Sequence, residues 1–376
     1  MIPGCQSVES VPEPNSISTS VVQELEIASE TAVIANPTLP TTTPISTSIP
    51  EPMCRPSENT LPPRADHEMV YDKGRGVIIL FGGRDPGFSF PFFPTESSSR
   101  HVSETWEYDK CGWKRIDTEH EPPNFDDFDM VYDSAQNVTI LLGQYTPIKE
   151  SDSESISMMW QYDGQDWRQM IEVALLPSPR IYRGMVFDSF LNRIVIFGGY
   201  GNYISGGSGW FWDTGVFENG SWNYITEDIY EYPPPTDFPI MVYDETRNAV
   251  ILWITRVYNF TSEFDGVSWD HLMDLPNRDG RPVMEFNRGM ELFGGDMVYD
   301  VDRDAIVAHG KSGTWEYAFI ENSWVRIESA GGPQSSWHAM VYDEDRGVTV
   351  LVGGIDGNGE PIEGMWVYDG KSWHQE

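Results

Sequence analysis

One frame recurs six times along this chain, and it limits the fold more than any local propensity does. Its last copy runs MVYDEDRGVTVLVGGIDGNGEPIEGMWVYDGKSW from Met340 to Trp373. Each copy opens with an apolar pair, an aromatic and an aspartate, at Met69-Val70-Tyr71-Asp72 and again at Met130, Met185, Met241, Met297 and Met340, with spacings of 61, 55, 56, 56 and 43 residues. Ten residues beyond the aspartates stand Gly82, Gly143, Gly198, Ile254, Gly310 and Gly353. An aromatic segment then leads to a tryptophan, as in Trp106-Tyr108-Trp113, Trp160-Tyr162-Trp167 and Phe217-Trp222. A period of this length means that each unit is one supersecondary piece, which hides its apolar faces by stacking on its neighbours.

Each unit reads as four short strands. Residues 69–72 and 77–81 are the first two, and the fourth position after the aspartate (Gly76, Asn137, Asn192, Asn248, Asp304 or Gly347) holds residue types that tolerate positive φ in a hairpin turn. The aromatic segment at 104–109 is the third strand, and Trp113 starts the fourth. A lone four-stranded sheet of this pattern leaves a face and an edge exposed, and radial repetition removes both.

With these motifs in view, the chain resembles the Kelch-repeat β-propellers, in the prokaryotic style MVYD…FGG…TWEYDG…W, over residues 64–376. The resemblance implies an all-β fold: a six-bladed propeller of four-stranded antiparallel blades starting near residues 64, 125, 180, 236, 292 and 335, in a domain spanning 53–376. The fourth copy departs from it with Trp253-Ile254-Thr255 in place of Phe-Gly-Gly, and the fifth with His309-Gly310-Lys311. Kelch-like enzymes include galactose oxidase, which uses copper with a Tyr–Cys cross-link, and six-bladed sialic-acid epimerases, whose chemistry needs an acid, a base and a pocket.

Residues 1–52 form a Ser/Thr/Pro-rich tail, expected to be disordered because it cannot bury enough apolar area to offset its ordering entropy. Ile2-Pro3-Gly4-Cys5 resembles the start of a mature bacterial lipoprotein, which makes Cys5 either a lipidation site or an ordinary tail cysteine. Membrane contact is expected only through such an anchor, and the setting is read as extracellular or cell-surface. The 59 acidic and 24 basic residues give a formal charge of −35, which repels nucleic acid. Cys111 lies in the turn between third and fourth strands of the first unit and Cys54 ten residues before Arg64, so a disulfide between them would staple the tail to that blade; two free thiols are the alternative.

In a four-stranded meander the first-to-second and third-to-fourth turns share one face, here the short ones. The second-to-third and inter-blade connections share the other, and function is expected there. Of fourteen tryptophans, only Trp210, Trp212 and Trp337 fall outside the repeat columns, and all three lie on that long-loop face, as do Tyr203 and the phenylalanines of Arg84–Ser103. Arg64, Arg180 and Arg183 precede first strands and offer positive charge near the channel mouth, for a sugar with an acidic substituent or an acidic peptide, unless they pair with neighbouring aspartates. His67 and His338 hold one repeat column, two before the methionine, which argues for a structural hydrogen bond over a ligand contact.

No nucleophile–histidine–acid set, HExxH or phosphate-cradling loop is evident, so no catalytic residue, cofactor or metal is assigned. Asp300-Val301-Asp302-Arg303-Asp304 reads as a turn rather than a calcium loop. The expected function is noncatalytic recognition of a protein or glycan through the long-loop face, with Arg64, His67, Arg180, Arg183, Tyr203, Trp210, Trp337 and His338 as candidate contacts. A sugar-acting enzyme of the kelch type and a structural module of a surface assembly are the alternatives.

Overall fold

The computed structural model describes residues 60–84, 102–147, 154–171, 173, 176–202, 206–225, 238–254, 260–271, 290, 292–321 and 323–376, and every regular element among them is a β-strand. The chain separates into Met1–Met53 and Cys54–Glu376, and all described residues belong to the second unit. Cys5, Cys54, Tyr203 and the phenylalanines at 88–93 lie outside the described residues.

Six four-stranded antiparallel sheets carry the six repeats, each with its strands in chain order. Sheet 1 is Ala65–Asp72, Val77–Arg84, Thr105–Tyr108 and Trp113–Ile116. The first strands of sheets 2 to 6 are Asp127–Asp133, Gly184–Asp188, Ile240–Asp244, Asp296–Asp300 and Ala339–Asp343. Trp113 opens a fourth strand, paired to Tyr108, rather than a new sheet. This all-β arrangement is consistent with a propeller.

The first hairpin turn works as its residue types imply. Gly76, Asn137, Asn192, Asn248, Asp304 and Gly347 all have positive φ, between 51° and 66°. The frame's aspartate anchors the turn: Asp72 accepts the Arg75 amide at 3.1 Å and pairs with its guanidinium at 2.6 Å. Asp244–Arg247, Asp300–Arg303 and Asp343–Arg346 repeat that ion pair. Each aspartate is thus buried with its charge compensated, the condition on which a buried carboxylate is tolerated.

Packing runs from sheet to sheet. Six apolar clusters each combine residues of two successive sheets, and one of them joins sheet 6 to sheet 1 through Val341, Val350, Met69 and Leu80. First strands follow one another in the same cyclic order, with Ala65–Asp72 lying between Asp127–Asp133 and Ala339–Asp343. First-strand tyrosines link the turns likewise: Tyr132 Oη accepts the Gly74 amide at 3.1 Å between sheets 2 and 1, and Tyr71 Oη accepts the Asp345 amide at 3.3 Å between sheets 1 and 6.

A further inter-sheet bond accounts for the tryptophan that starts most fourth strands. Trp167, Trp269, Trp324 and Trp373 donate Nε1–H to Thr105, Thr214, Thr261 and Thr314 of the preceding sheet, at 2.8–2.9 Å. In sheet 2 the acceptor column holds Met159, whose Sδ takes the Trp222 N–H at 3.2 Å. A buried indole needs such an acceptor, because an unpaired N–H forfeits its hydration.

Two features depart from the expected pattern. The second-to-third connection of sheet 5 is a tight turn, with Gly310 paired to Gly313, so it is not among the long loops; Gly313, at φ 100°, supplies the backbone this needs. A seventh, three-stranded sheet stands on the long-loop side of sheet 3, where Tyr200–Asn202 pairs with both Arg180–Ile181 and Ser208–Trp210.

Candidate functional site

The residue three places before each first-strand methionine forms a column at one end of the axis: Asp66, Asp127, Tyr182, Phe238, Gly294 and Trp337. All but Asp127 lie in the left-handed region, with φ between 56° and 66°. For a tyrosine, a phenylalanine and a tryptophan that conformation is uncommon and costs energy. It is held by backbone bonds between neighbouring segments, the Trp337 amide donating to the Gly294 carbonyl and the Asp66 amide to the Trp337 carbonyl. Gly294 leaves room for its neighbour, since a Cβ there would sit 3.1 Å from the Trp337 ring.

The column gives the mouth two halves. Phe238 is packed against Tyr182 at 4.2 Å between ring centroids, Phe293 at 4.8 Å and Trp337 at 5.6 Å, while Trp210 stands 6.5 Å from it. Asp66 and Asp127 face this aromatic arc from sheets 1 and 2. Residues one place before the methionines add Glu68, Asp129 and Asp296. Apart from Phe293 and Trp210, these side chains line a cavity of about 180 Å³ that draws residues from all six sheets.

Burial governs the electrostatics. Glu68 is held well above the ordinary carboxylate range by desolvation, and then by repulsion from Asp129, Asp296, Asp127 and Asp66. Asp127 is pushed up to about 8 by desolvation and then by the Asp129 charge, with Arg183 pulling the other way. Asp129 rises to about 6 through desolvation, against the pull of Arg183. Asp296 reaches about 6 for the same reason, although its oxygens accept the Met297 and Met340 amides at 2.7 Å. Protonated and ionised carboxyls therefore coexist near neutral pH, so the cluster can both donate and accept hydrogen bonds.

Of the two readings left open for the three arginines, pairing with neighbouring acids is the one seen, with Asp213 and Asp129 for Arg180 and Arg183 and a glutamate, Glu104, for Arg64. Arg64 is 3% exposed, donates to the Gly82 carbonyl at 2.8 Å and pairs with Glu104. Arg180 is 1% exposed, pairs with Asp213 at 2.5 Å and stacks over Phe211. Arg183 does line the cavity, but it is bound to Asp129 at 2.7 Å and donates to the carbonyls of Arg180 and Leu142. Buried guanidinium groups need such partners, and the acids and carbonyls beside them supply these first.

His67 and His338 also line the cavity, at 2% and 5% exposure. His338 Nδ1 bonds the Ser335 hydroxyl at 2.9 Å, while its Nε2 and both ring nitrogens of His67 lack a partner of good geometry. The Val352 carbonyl bears on His67, and it can satisfy only one nitrogen of that ring. The structural hydrogen bond expected of this column is therefore formed by His338 and incomplete at His67. Burial lowers His67 to about 3, so its ring is neutral.

Of the other candidates, Trp210 ends the short strand Ser208–Trp210 beside Tyr200, 5.0 Å away, with its ring 6.5 Å from Phe238, and it does not line the cavity. Trp212 is 54% exposed. Among the described residues, the one group of three or more metal-type ligands close enough to share an ion is Glu119, His120 and Asp166, and none of them lines the mouth. The one described cysteine, Cys111, is disulfide-bonded, so it does not fit a copper-linked Tyr–Cys pair.

At the opposite end of the axis a second cavity, about 260 Å³, is lined by the valines and methionines of the first strands. Lys73 reaches over it to Glu344 at 3.0 Å and Glu245 at 3.4 Å.

No family model and no curated protein matches this chain. Among solved structures it is similar to YjhT, at 11% identity and a TM-score of 0.55, over 85% of this chain and 99% of that one. It is also similar to a fungal alcohol oxidase of the AA5 family in complex with copper, at 13% identity and a TM-score of 0.49, over 83% of this chain and 65% of that one. The first likeness shows the fold alone, a kelch-like propeller architecture.

Proposed function

We propose that the six sheets are the blades of a six-bladed kelch-type propeller, and that the channel mouth on its long-loop face binds a carbohydrate. The observation that carries this reading is the aromatic arc of Tyr182, Phe238 and Trp337 set against Asp66, Asp127 and Glu68 around one small cavity. Aromatic faces take the apolar C–H face of a sugar ring and carboxyls take its hydroxyls, so the two halves address one ligand. The cavity, about 180 Å³, is below the ~300–1,000 Å³ of sites for drug-sized molecules, which favours a saccharide unit over a protein segment.

A sugar-acting enzyme is the second reading. Asp127, pushed up to about 8, stands beside Asp129, which is paired with Arg183 at 2.7 Å; a proton donor next to an ionised carboxylate is a layout for acid–base chemistry. An extracellular or cell-surface setting belongs to the same proposal, supported by the disulfide at Cys111. The test is a glycan-binding screen of the full chain, followed by product analysis on every hit. Binding without conversion supports recognition, product formation moves the assignment to the enzyme, and no glycan bound by the wild type but lost in Phe238→Ala removes the carbohydrate reading.

A further inference from the structure

We propose that the channel mouth selects a positively charged sugar, one bearing a free amino group. This rests on the carbohydrate reading above and adds the charge of the ligand. Among the described residues, five carboxyl side chains line the cavity, from Asp66, Glu68, Asp127, Asp129 and Asp296, and Arg183 is the one arginine or lysine that does. Arg183 is committed to Asp129 at 2.7 Å, and Asp66 pairs with Arg84 at 2.8 Å outside the cavity lining. Asp127 accepts the Tyr182 amide at 3.1 Å, and Asp296 is held by two backbone amides. The Glu68 side chain has no hydrogen bond or ion pair with another described residue, and the charged groups that bear on it are all carboxylates.

Such an arrangement lacks a cation. Like charges crowded in a low-dielectric cavity repel one another, and a ligand ammonium among them gains from several at once. His67, 98% buried and lining the same cavity, is a second mark of an absent partner, because at least one of its ring nitrogens has none. The aromatic half opposite the acids adds cation–π attraction to ring stacking. A compact divalent ion suits the site less well, since these carboxyl oxygens do not converge as the Glu119, His120 and Asp166 atoms do. A sugar ammonium has three donors at longer reach, which suits acids spread around a ring.

The experiment titrates the full chain by calorimetry with matched pairs, glucosamine against N-acetylglucosamine and galactosamine against N-acetylgalactosamine, with calcium chloride as a separate arm. The expected result is that at least one free amine binds about tenfold or more tighter than its acetylated partner, that added salt weakens it, and that Glu68→Gln weakens the amine about tenfold or more beyond any loss it causes for the acetylated sugar, so that the preference disappears. Asp296→Asn serves as the second variant should Glu68→Gln fold poorly. Equal binding within both pairs overturns the charge assignment and leaves the carbohydrate reading standing. Failure of all four sugars overturns both. Tight calcium binding that displaces the amine turns the site into a metal site and overturns the proposal.

Discussion

Trp167 donates its indole N–H to Thr105 Oγ1 at 2.8 Å, across the boundary between the first two sheets, with both residues buried. The same bond recurs at three other boundaries, so the two columns form a latch between successive sheets rather than a local contact. Thr105→Val keeps the shape and removes the acceptor. It is expected to cost about 1–3 kcal/mol, the penalty of a buried donor left unpaired. Thr105→Ser keeps the oxygen and should cost clearly less. Denaturant unfolding of the two variants checks this, and equal losses would mean that volume, not the bond, is what counts.

Cys111 is disulfide-bonded, and Cys54 is the proposed partner. Peptide mapping without reductant should recover Cys54 and Cys111 in one linked pair. Cys111→Ser should lower stability by about 2–5 kcal/mol, as removal of a native disulfide commonly does. A Cys54 recovered as a free thiol contradicts the pairing.

Raised carboxyls make stability depend on pH with a definite sign. Asp127 is pushed up to about 8, so between its unfolded value and pH 8 the folded chain holds a proton that the unfolded chain has released. That contribution is lost as pH rises through the folded value. His67 and His309, lowered by burial to about 3 and about 4, act in the opposite direction, but only below about pH 6.5, where the unfolded imidazoles take up protons. His120, raised by its bond to Asp166, falls in the same direction as Asp127. The clean window is therefore pH 6.5 to 9 in a His120→Ala background. Glu68, also held well above the ordinary range, acts in the same direction as Asp127, so melting temperature should decline across this window and Asp127→Asn should make the decline shallower without abolishing it. An unchanged slope would show that the Asp127 carboxyl is ionised throughout.

Gly294 sits at φ +66°, with the Trp337 ring where a side chain would go. Gly294→Ala should cost about 1–2 kcal/mol for the left-handed backbone, and it should displace Trp337 and shift the intrinsic fluorescence. A stable variant with unaltered emission would show that the ring has room to spare.

The period fixed which segments pair, and the structure follows it down to the positive φ at Asn137, Asn192, Asn248 and Asp304. Turn chemistry of that kind is local, and the residue types announce it. The site was less legible. The His67 and His338 column stood out because one residue type recurs, whereas the next column holds two aspartates, a tyrosine, a phenylalanine, a glycine and a tryptophan. No shared chemistry marks it, and bulky aromatics do not signal a left-handed backbone. Glu68 and Asp296 could have been found by aligning the position before each methionine. The three-stranded sheet around Tyr200–Asn202 is illegible in the sequence for another reason: its strands hold glycine and serine, which pack poorly in sheets, and it depends on pairing with the distant Arg180–Ile181.

The claim that the molecule binds its ligand at the acid-and-aromatic mouth is tested most directly by calorimetric titration of the first confirmed glycan into wild type, Trp337→Ala and Lys73→Ala. Lys73 marks the opposite end, where its half-exposed ion pairs contribute little to stability. The structure predicts a loss of about tenfold or more in affinity for Trp337→Ala, with Lys73→Ala binding as wild type does. Full affinity in Trp337→Ala together with a loss in Lys73→Ala would place the ligand at the other end of the axis and contradict the account.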